Sequence, residues 1–291
     1  MNAGSYLELT KPRITGFILM STAIGFVCGA QYAGVSILSL WLPLLHTLIG
    51  TGLIASGTAA LNQWYERVAD AKMNRTKARP IPSGRITPVH AMWFASLLSI
   101  AGFAELWLGA NRLTALLGAF TLAMYLFVYT PLKQRSPHST TIGAIPGAMP
   151  PLIGFAAAAG TLGVGAWVLY AILFLWQFPH FYAIAWMYRE DYARAGIRML
   201  PVVEPDGAST ARRMILFSLV LIPVSLLPRF TTMDAGNVYL IGAVLLGAMF
   251  TFAAMRAWFD RSLTRARQVL LASVVYLPFL YGLLALDRAH I

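Results

Sequence analysis

The sequence predicts an all-α polytopic membrane protein, with nine transmembrane helices in a single bundle around a central cavity open to the cytoplasmic side. Three observations carry this expectation. Hydrophobic residues make up 58% of the 291 positions and charged residues only 11%, at a mean hydropathy of +0.66, which is too apolar for a soluble domain of this size. Apolar runs long enough to cross a bilayer, each near ~20 residues, recur along the whole chain. All but three of the lysines and arginines gather in alternate connections, on one side.

Taken in order, the runs lie at about 14–32, 38–61, 90–110, 113–132, 140–160, 165–188, 211–229, 237–257 and 268–286. With a cytoplasmic N-terminus, the inner connections hold Lys11 and Arg13, the cluster from Arg67 to Arg85, Lys133 and Arg135, the cluster from Arg189 to Arg213, and the cluster from Arg256 to Arg267. Only Arg112, Arg229 and Arg288 fall on the opposite face. This is the positive-inside pattern. The net charge of +11 therefore reports orientation rather than a nucleic-acid partner, and an odd number of spans sends the C-terminus outside. The first run exceeds a signal-peptide core and is expected to remain as a span. The absence of a transit peptide points to a bacterial inner membrane. One cysteine, Cys28, sits inside an apolar run, which excludes an intrachain disulfide, a cysteine metal site and a redox pair.

Outer connections are short, at 110–112 and 161–165, whereas the long ones, at 62–89, 133–139, 189–210 and 258–267, are all cytoplasmic. The chemistry is expected there. No fixed-period repeat divides the chain, so residues 1–291 read as one transmembrane domain.

The strongest constellation is NQWYERVADAKMNRTKARP, residues 62–80. A helix over its first half stacks Asn62, Glu66 and Asp70 on one face, because residues four apart are neighbours. One amide oxygen and two carboxylates suit Mg²⁺, which takes few protein oxygens and shares its shell with water and substrate phosphate. Lys72, Arg75, Lys77 and Arg79 suit the phosphate. The prolines of RPIPSGRITP then force a structured turn, in which Arg85 either closes over phosphate or marks topology.

In YTPLKQRSPHSTT, residues 129–141, Tyr129 and Lys133 are four apart, with Pro131 between them to distort the turn. Lys133 and Arg135 either stabilise an anion or snorkel to head groups. Glycines and prolines from Gly143 to Gly154 make the fifth span small and bent. In WQFPHFYAIAWMYREDYARAGIRMLPVV, residues 176–203, Trp176 and His180 lie four apart within the sixth span, and an ionisable residue at that depth is a functional candidate. Its imidazole could ligate a haem iron, orient a substrate carboxylate, or bond a neighbouring helix. Asp191 could hold a second Mg²⁺ or pair with Arg194. The last three spans read as carrying little buried polarity, and the many aromatics as core, as interfacial anchors, or as shields for a carbocation.

These motifs resemble the UbiA superfamily of intramembrane prenyltransferases, and within it the protohaem IX farnesyltransferase (haem O synthase) branch. The resemblance spans nearly the whole chain. It rests on LTKPRIT at 9–15, the Asn62, Glu66, Asp70 triplet followed by MNRTKARP, YTPLKQR at 129–135, and PHF at 179–181 with DYARAGIRMLP at 191–201. It implies farnesyl transfer from farnesyl diphosphate to a vinyl group of haem B, in the branch that leads to haem A synthase and terminal oxidase assembly. It assigns Mg²⁺ to Asn62, Glu66 and Asp70, diphosphate to Arg75, Lys77, Arg79, Lys133, Arg135, Arg194 and Arg198, catalytic roles also to Tyr129, Lys133 and Asp191, and haem to His180 and Trp176. Two departures stand out: Glu66 where the superfamily commonly has Asp, and Ala195 where many members carry a second carboxylate four residues after Asp191. The rival expectations are a related enzyme prenylating a quinone precursor or chlorophyll-type ring, a phosphorylated-lipid or haem transporter, and a haem-binding module without catalysis.

Overall fold

The computed structural model describes residues 3–287, and the regular elements among them are all helices, without strands. A short helix α1 (Ala3–Leu9) precedes α2 (Pro12–Tyr32). Then follow α3 (Trp41–Tyr65), α4 (Arg67–Lys72), α5 (Pro88–Gly109), α6 (Arg112–Ala123), a π-turn over Met124–Tyr129, α7 (Thr130–Leu132), α8 (Ser139–Gly147) and α9 (Pro150–Ala159). The chain ends with α10 (Val164–Met187), α11 (Arg189–Arg194), α12 (Leu200–Val203), α13 (Ala208–Leu226), α14 (Asn237–Phe259) and α15 (Leu263–Leu286). Nine spans, among the described residues, are long and apolar enough to cross a membrane. The chain is a multi-pass membrane protein. Arg288 and the last residues, expected outside, lie beyond the described part.

Local chemistry sets the ends of these spans. Thr87, Asn111 and Ser262 cap α5, α6 and α15 by accepting from the N–H of His90, Thr114 and Arg265, which satisfies donors a helix leaves open at its start. Pro88 follows its cap at the first helical position, where a missing N–H costs nothing. The fifth span, expected over 140–160 as one bent rod, is two helices, α8 and α9, separated at Ala148 and Met149 before Pro150 and Pro151. It is also the most deeply buried span.

Small residues bring α9 onto α2. A side-chain carbon on Gly25 would collide with the Pro151 backbone, and one on Gly154 with the Thr22 carbonyl. Such backbone-to-backbone approach is how helices pack where lipid supplies no hydrophobic drive. The largest apolar cluster joins α9, α10, α13, α14 and α15, and a smaller one ties α1, α3 and α5 beneath the loop at residues 80–86. The last three spans hold more buried polarity than expected: Thr210, Ser218, Ser225, Thr251 and Ser273 are all buried. Two of these hydroxyls, those of Ser218 and Ser273, bond back to their own helix, which lets them read as apolar filler in sequence.

Candidate active site

The backbone keeps Asn62, Glu66 and Asp70 in register although α3 stops at Tyr65. The Glu66 N–H donates to the Asn62 carbonyl at 2.9 Å and the Asp70 N–H to the Glu66 carbonyl at 2.8 Å, so the four-residue spacing survives the joint. All three side chains line one cavity of about 410 Å³. They are 2%, 8% and 0% exposed. Burying a charge costs several kcal/mol unless it is paired, and each of these groups has its own cation. Lys11 Nζ donates to Asn62 Oδ1 at 3.4 Å, Lys133 Nζ to Glu66 Oε1 at 2.8 Å, and Arg79 Nη1 to the two Asp70 oxygens at 2.9 and 2.8 Å. Burial pushes the Glu66 carboxyl up, but the Lys133 ammonium outweighs it and leaves the group below the usual carboxylate range. Burial likewise disfavours the Lys133 ammonium, and Glu66 with the neighbouring tyrosines holds it well above its ordinary value.

Lys133 is delivered by the π-turn. The N–H of Thr130 reaches back five residues to the Tyr125 carbonyl, and the Thr130 hydroxyl donates to the same oxygen at 2.8 Å. Pro131, which cannot donate, follows. This wide turn places Tyr125 and Tyr129 together on the cavity wall, 5.0 Å apart and edge to face, with Lys133 Nζ 4.5 Å from the Tyr129 ring centre. π-turns of this kind recur at functional sites.

The two acidic-basic loops meet over the cavity. Asp191 accepts from the backbone N–H of Asn74 and of Arg75, each at 3.2 Å, and pairs with Arg194 one turn on. Arg75 donates to the Tyr192 hydroxyl at 2.8 Å and lies over the Tyr188 and Tyr192 rings. Asp191 therefore holds the 73–79 loop rather than lining the cavity with the other carboxylates.

The remaining expected residues divide clearly. Arg75, Arg79, Lys133 and Tyr129 line the cavity. Lys77, Arg135, Arg194 and Arg198 are exposed and do not; Lys77 turns to the Asn74 side chain and Arg194 back to Asp191. Arg85 bridges to Glu8 and the Ala78 carbonyl, so it clasps the loop to α1. His180 and Trp176 lie at the contact of α10 with α15, while the next residue, Phe181, faces the cavity.

Sequence reasoning missed Lys11 as a site residue, because a lysine before the first span also satisfies the positive-inside pattern. Its signal is the pair Lys11–Pro12. Lys11 adopts the left-handed conformation, φ 49, which a non-glycine residue takes only at a cost. Burial, with Arg79 and Lys133 nearby, brings its ammonium down to about 7. Tyr125, Phe181 and Tyr192 were also missed as walls.

A membrane-embedded helical bundle whose long-loop end carries clustered oxygen donors, cations and aromatic walls defines a class of intramembrane enzyme acting on lipid-tailed anionic substrates. The chain belongs to the UbiA prenyltransferase family, whose model matches residues 18–281, and it is a prenyltransferase. It is 63% identical to a protohaem IX farnesyltransferase of Solibacter usitatus over 97% of this chain and 98% of that one. It is 47% identical to another of Koribacter versatilis, covering 97% and 93%. Among solved structures it is similar in fold to a digeranylgeranylglyceryl phosphate synthase, with a TM-score of 0.77 at 17% identity over 98% of both chains. A UbiA homologue from Archaeoglobus fulgidus bound to GPP and Mg²⁺ matches with a TM-score of 0.63 at 14% identity, covering 97% of this chain and 100% of that one.

Proposed function

We propose that this chain transfers the farnesyl group of farnesyl diphosphate to a vinyl group of haem B, forming haem O. One observation carries the reading: a relative named protohaem IX farnesyltransferase matches 97% of the chain at 63% identity. In the reaction the C1–oxygen bond of the donor breaks and the electron pair leaves with diphosphate. The allylic cation bonds to the terminal vinyl carbon. Water then adds to the carbon next to the porphyrin ring and loses a proton, giving the hydroxyl.

The cavity supports this chemistry. Asn62, Glu66 and Asp70 are buried hard-oxygen donors on one wall, a set that fits Mg²⁺. Bound there, Mg²⁺ would neutralise charge on the departing diphosphate. Lys11, Arg75, Arg79 and Lys133 share the same cavity and would receive the leaving anion; one such contact is worth about 3 kcal/mol in the transition state. Tyr125, Tyr129, Phe181 and Tyr192 face the space where the cation forms, and aromatic faces attract cations while excluding water. Asp191 supports the site by holding the Arg75 backbone.

The reading places the protein in a bacterial inner membrane, N-terminus in the cytoplasm and C-terminus outside, with its product passing to a haem A synthase or terminal oxidase. The deciding experiment incubates the purified protein with haem B, farnesyl diphosphate and Mg²⁺ and weighs the product. A mass equal to haem B plus one farnesyl group and one hydroxyl is expected. Prenylation of a quinone precursor instead, with haem B untouched, overturns the reading.

A further inference from the structure

The elbow between α1 and α2 is held from across the fold by a single buried amide. Pro12 offers no N–H and crowds the residue before it out of the right-handed helical region, so α1 cannot run on into α2. The last turn of α1 closes instead through the N–H of Thr10 to the Leu7 carbonyl at 3.1 Å and the N–H of Lys11 to the Glu8 carbonyl at 3.2 Å. These bonds leave over the Leu9 carbonyl, one of the acceptors that a helix strands at its end. Gln63 of α3 supplies the partner: its Nε2 donates to that carbonyl at 2.9 Å. The orientation of the amide follows, because a carbonyl oxygen only accepts. Gln63 is 1% exposed and Leu9 wholly buried, so the bond is buried at both ends.

What the elbow carries is Lys11. Its backbone is left-handed, φ 49 and ψ 61, a conformation that a residue with a side chain keeps only where its surroundings over-determine it. Two consecutive residues of α3 do so. Gln63 grips the backbone two residues before Lys11, and Asn62 Oδ1 accepts from Lys11 Nζ at 3.4 Å. On the other side of the elbow the Thr15 hydroxyl donates to the Thr10 carbonyl at 2.9 Å. Arg85 also clasps α1, through Glu8 at 2.8 Å, but the two side chains are 41% and 46% exposed, where an ion pair contributes little. Lys11, Asn62 and Gln63 all line the cavity that holds Glu66 and Asp70. A lysine ammonium rides on a long, flexible stem, so its place depends on where the stem is rooted. Freed from the Leu9 anchor, the backbone at Lys11 can relax out of the left-handed region, and its Cα–Cβ bond then changes direction.

We infer that Gln63 is a positioning residue for the anion site: through the Leu9 carbonyl it locks the α1–α2 elbow and so sets the Lys11 ammonium in the cavity where the donor's diphosphate is received. The anion's identity rests on the function proposed above; the clasp on the elbow does not.

The test measures binding of a non-hydrolysable farnesyl diphosphate analogue, with Mg²⁺ present, to the purified full chain in detergent. The proteins are wild type, Gln63→Met, which keeps the length of the side chain without its donor, Lys11→Met, and the double variant. Thermal unfolding reports the fold of each. Gln63→Met is expected to weaken analogue binding by about fivefold or more and Lys11→Met by about tenfold. The double variant should bind within about twofold of Lys11→Met, because the two changes remove one interaction. Steady-state assays of Gln63→Met should show the loss in KM for farnesyl diphosphate and not in kcat. Gln63→Asn, which keeps the amide but shortens its reach, carries the same expectation and stands in where Gln63→Met yields no folded protein. Unchanged binding in a folded Gln63 variant overturns the inference, as does a double variant in which the two losses multiply. Wild-type affinity in Lys11→Met overturns it too, and leaves the proposed function standing. Failure of the wild type to bind the analogue at all overturns the proposed function together with the inference.

Discussion

Arg79 Nη1 spans both carboxylate oxygens of Asp70, at 2.9 and 2.8 Å, with Asp70 wholly buried. Removing one partner of such a pair leaves a buried carboxylate without its hydrogen-bonded counter-ion, at a typical cost of ~3–5 kcal/mol. Arg79→Ala is expected to lower stability by about that amount, measured by thermal unfolding in detergent, with Arg79→Lys recovering part of it. Asp70→Ala is expected to abolish turnover while the protein still folds. Near-wild-type turnover in that variant would remove Asp70 from the donor set.

The Glu66–Lys133 pair makes a prediction about pH. Its contribution is lost at both extremes: the lowered Glu66 carboxyl stabilises the fold above the ordinary carboxylate range and loses this as pH falls through its folded value, while the raised Lys133 ammonium stabilises below the ordinary lysine value and loses this as pH rises. In Lys133→Met burial is opposed only by the smaller effects of Lys11 and Asn62, so the Glu66 carboxyl rises and protonation favours the fold. The difference in melting temperature between wild type and variant should therefore shrink as pH is lowered from 7 to about 4. A difference that grows on acidification would contradict the pairing.

Lys11 should act on donor binding. Lys11→Met is expected to raise KM for farnesyl diphosphate by about tenfold or more, since a hydrogen bond to a charged group is worth ~1.5–3 kcal/mol, and Lys11→Arg should recover most of this. An unchanged KM in Lys11→Met would return the residue to a role in topology alone.

Asp191 separates positioning from metal binding. Asp191→Ala should speed hydrogen exchange at the amides of Asn74 and Arg75, which lose their acceptor, while the Mg²⁺ concentration for half-maximal activity stays within about twofold at saturating donor. A tenfold rise in that concentration with unchanged exchange would make Asp191 a metal ligand.

The spans were legible because crossing a bilayer is a one-dimensional requirement, met by length and apolarity, and the Asn62, Glu66, Asp70 register because helical spacing is local. What sequence concealed depends on partners far along the chain. Asp191 reads as a second Mg²⁺ ligand or a partner of Arg194; the pairing is present, and the fold adds the backbone N–H groups of residues 74 and 75, which sequence does not announce. Lys77, Arg135, Arg194 and Arg198 share a composition with Arg75, Arg79 and Lys133, yet only the latter turn inward, and composition does not encode direction. Tyr129 and Lys133 were expected four apart on a turn distorted by Pro131; the π-turn that pairs Tyr129 with Tyr125 is a hydrogen-bonding choice that no residue spacing announces.

The seam of Gly25 and Gly154 has a consequence for reading genetic screens. Because α2 carries Lys11 at its foot, a single added methyl at Gly154 would wedge two rods apart and swing that ammonium off target from several turns away. An inactive Gly154→Ala allele would then describe a misaligned lever, and because the atoms it meets on the facing rod are backbone, no smaller side chain there would revive it.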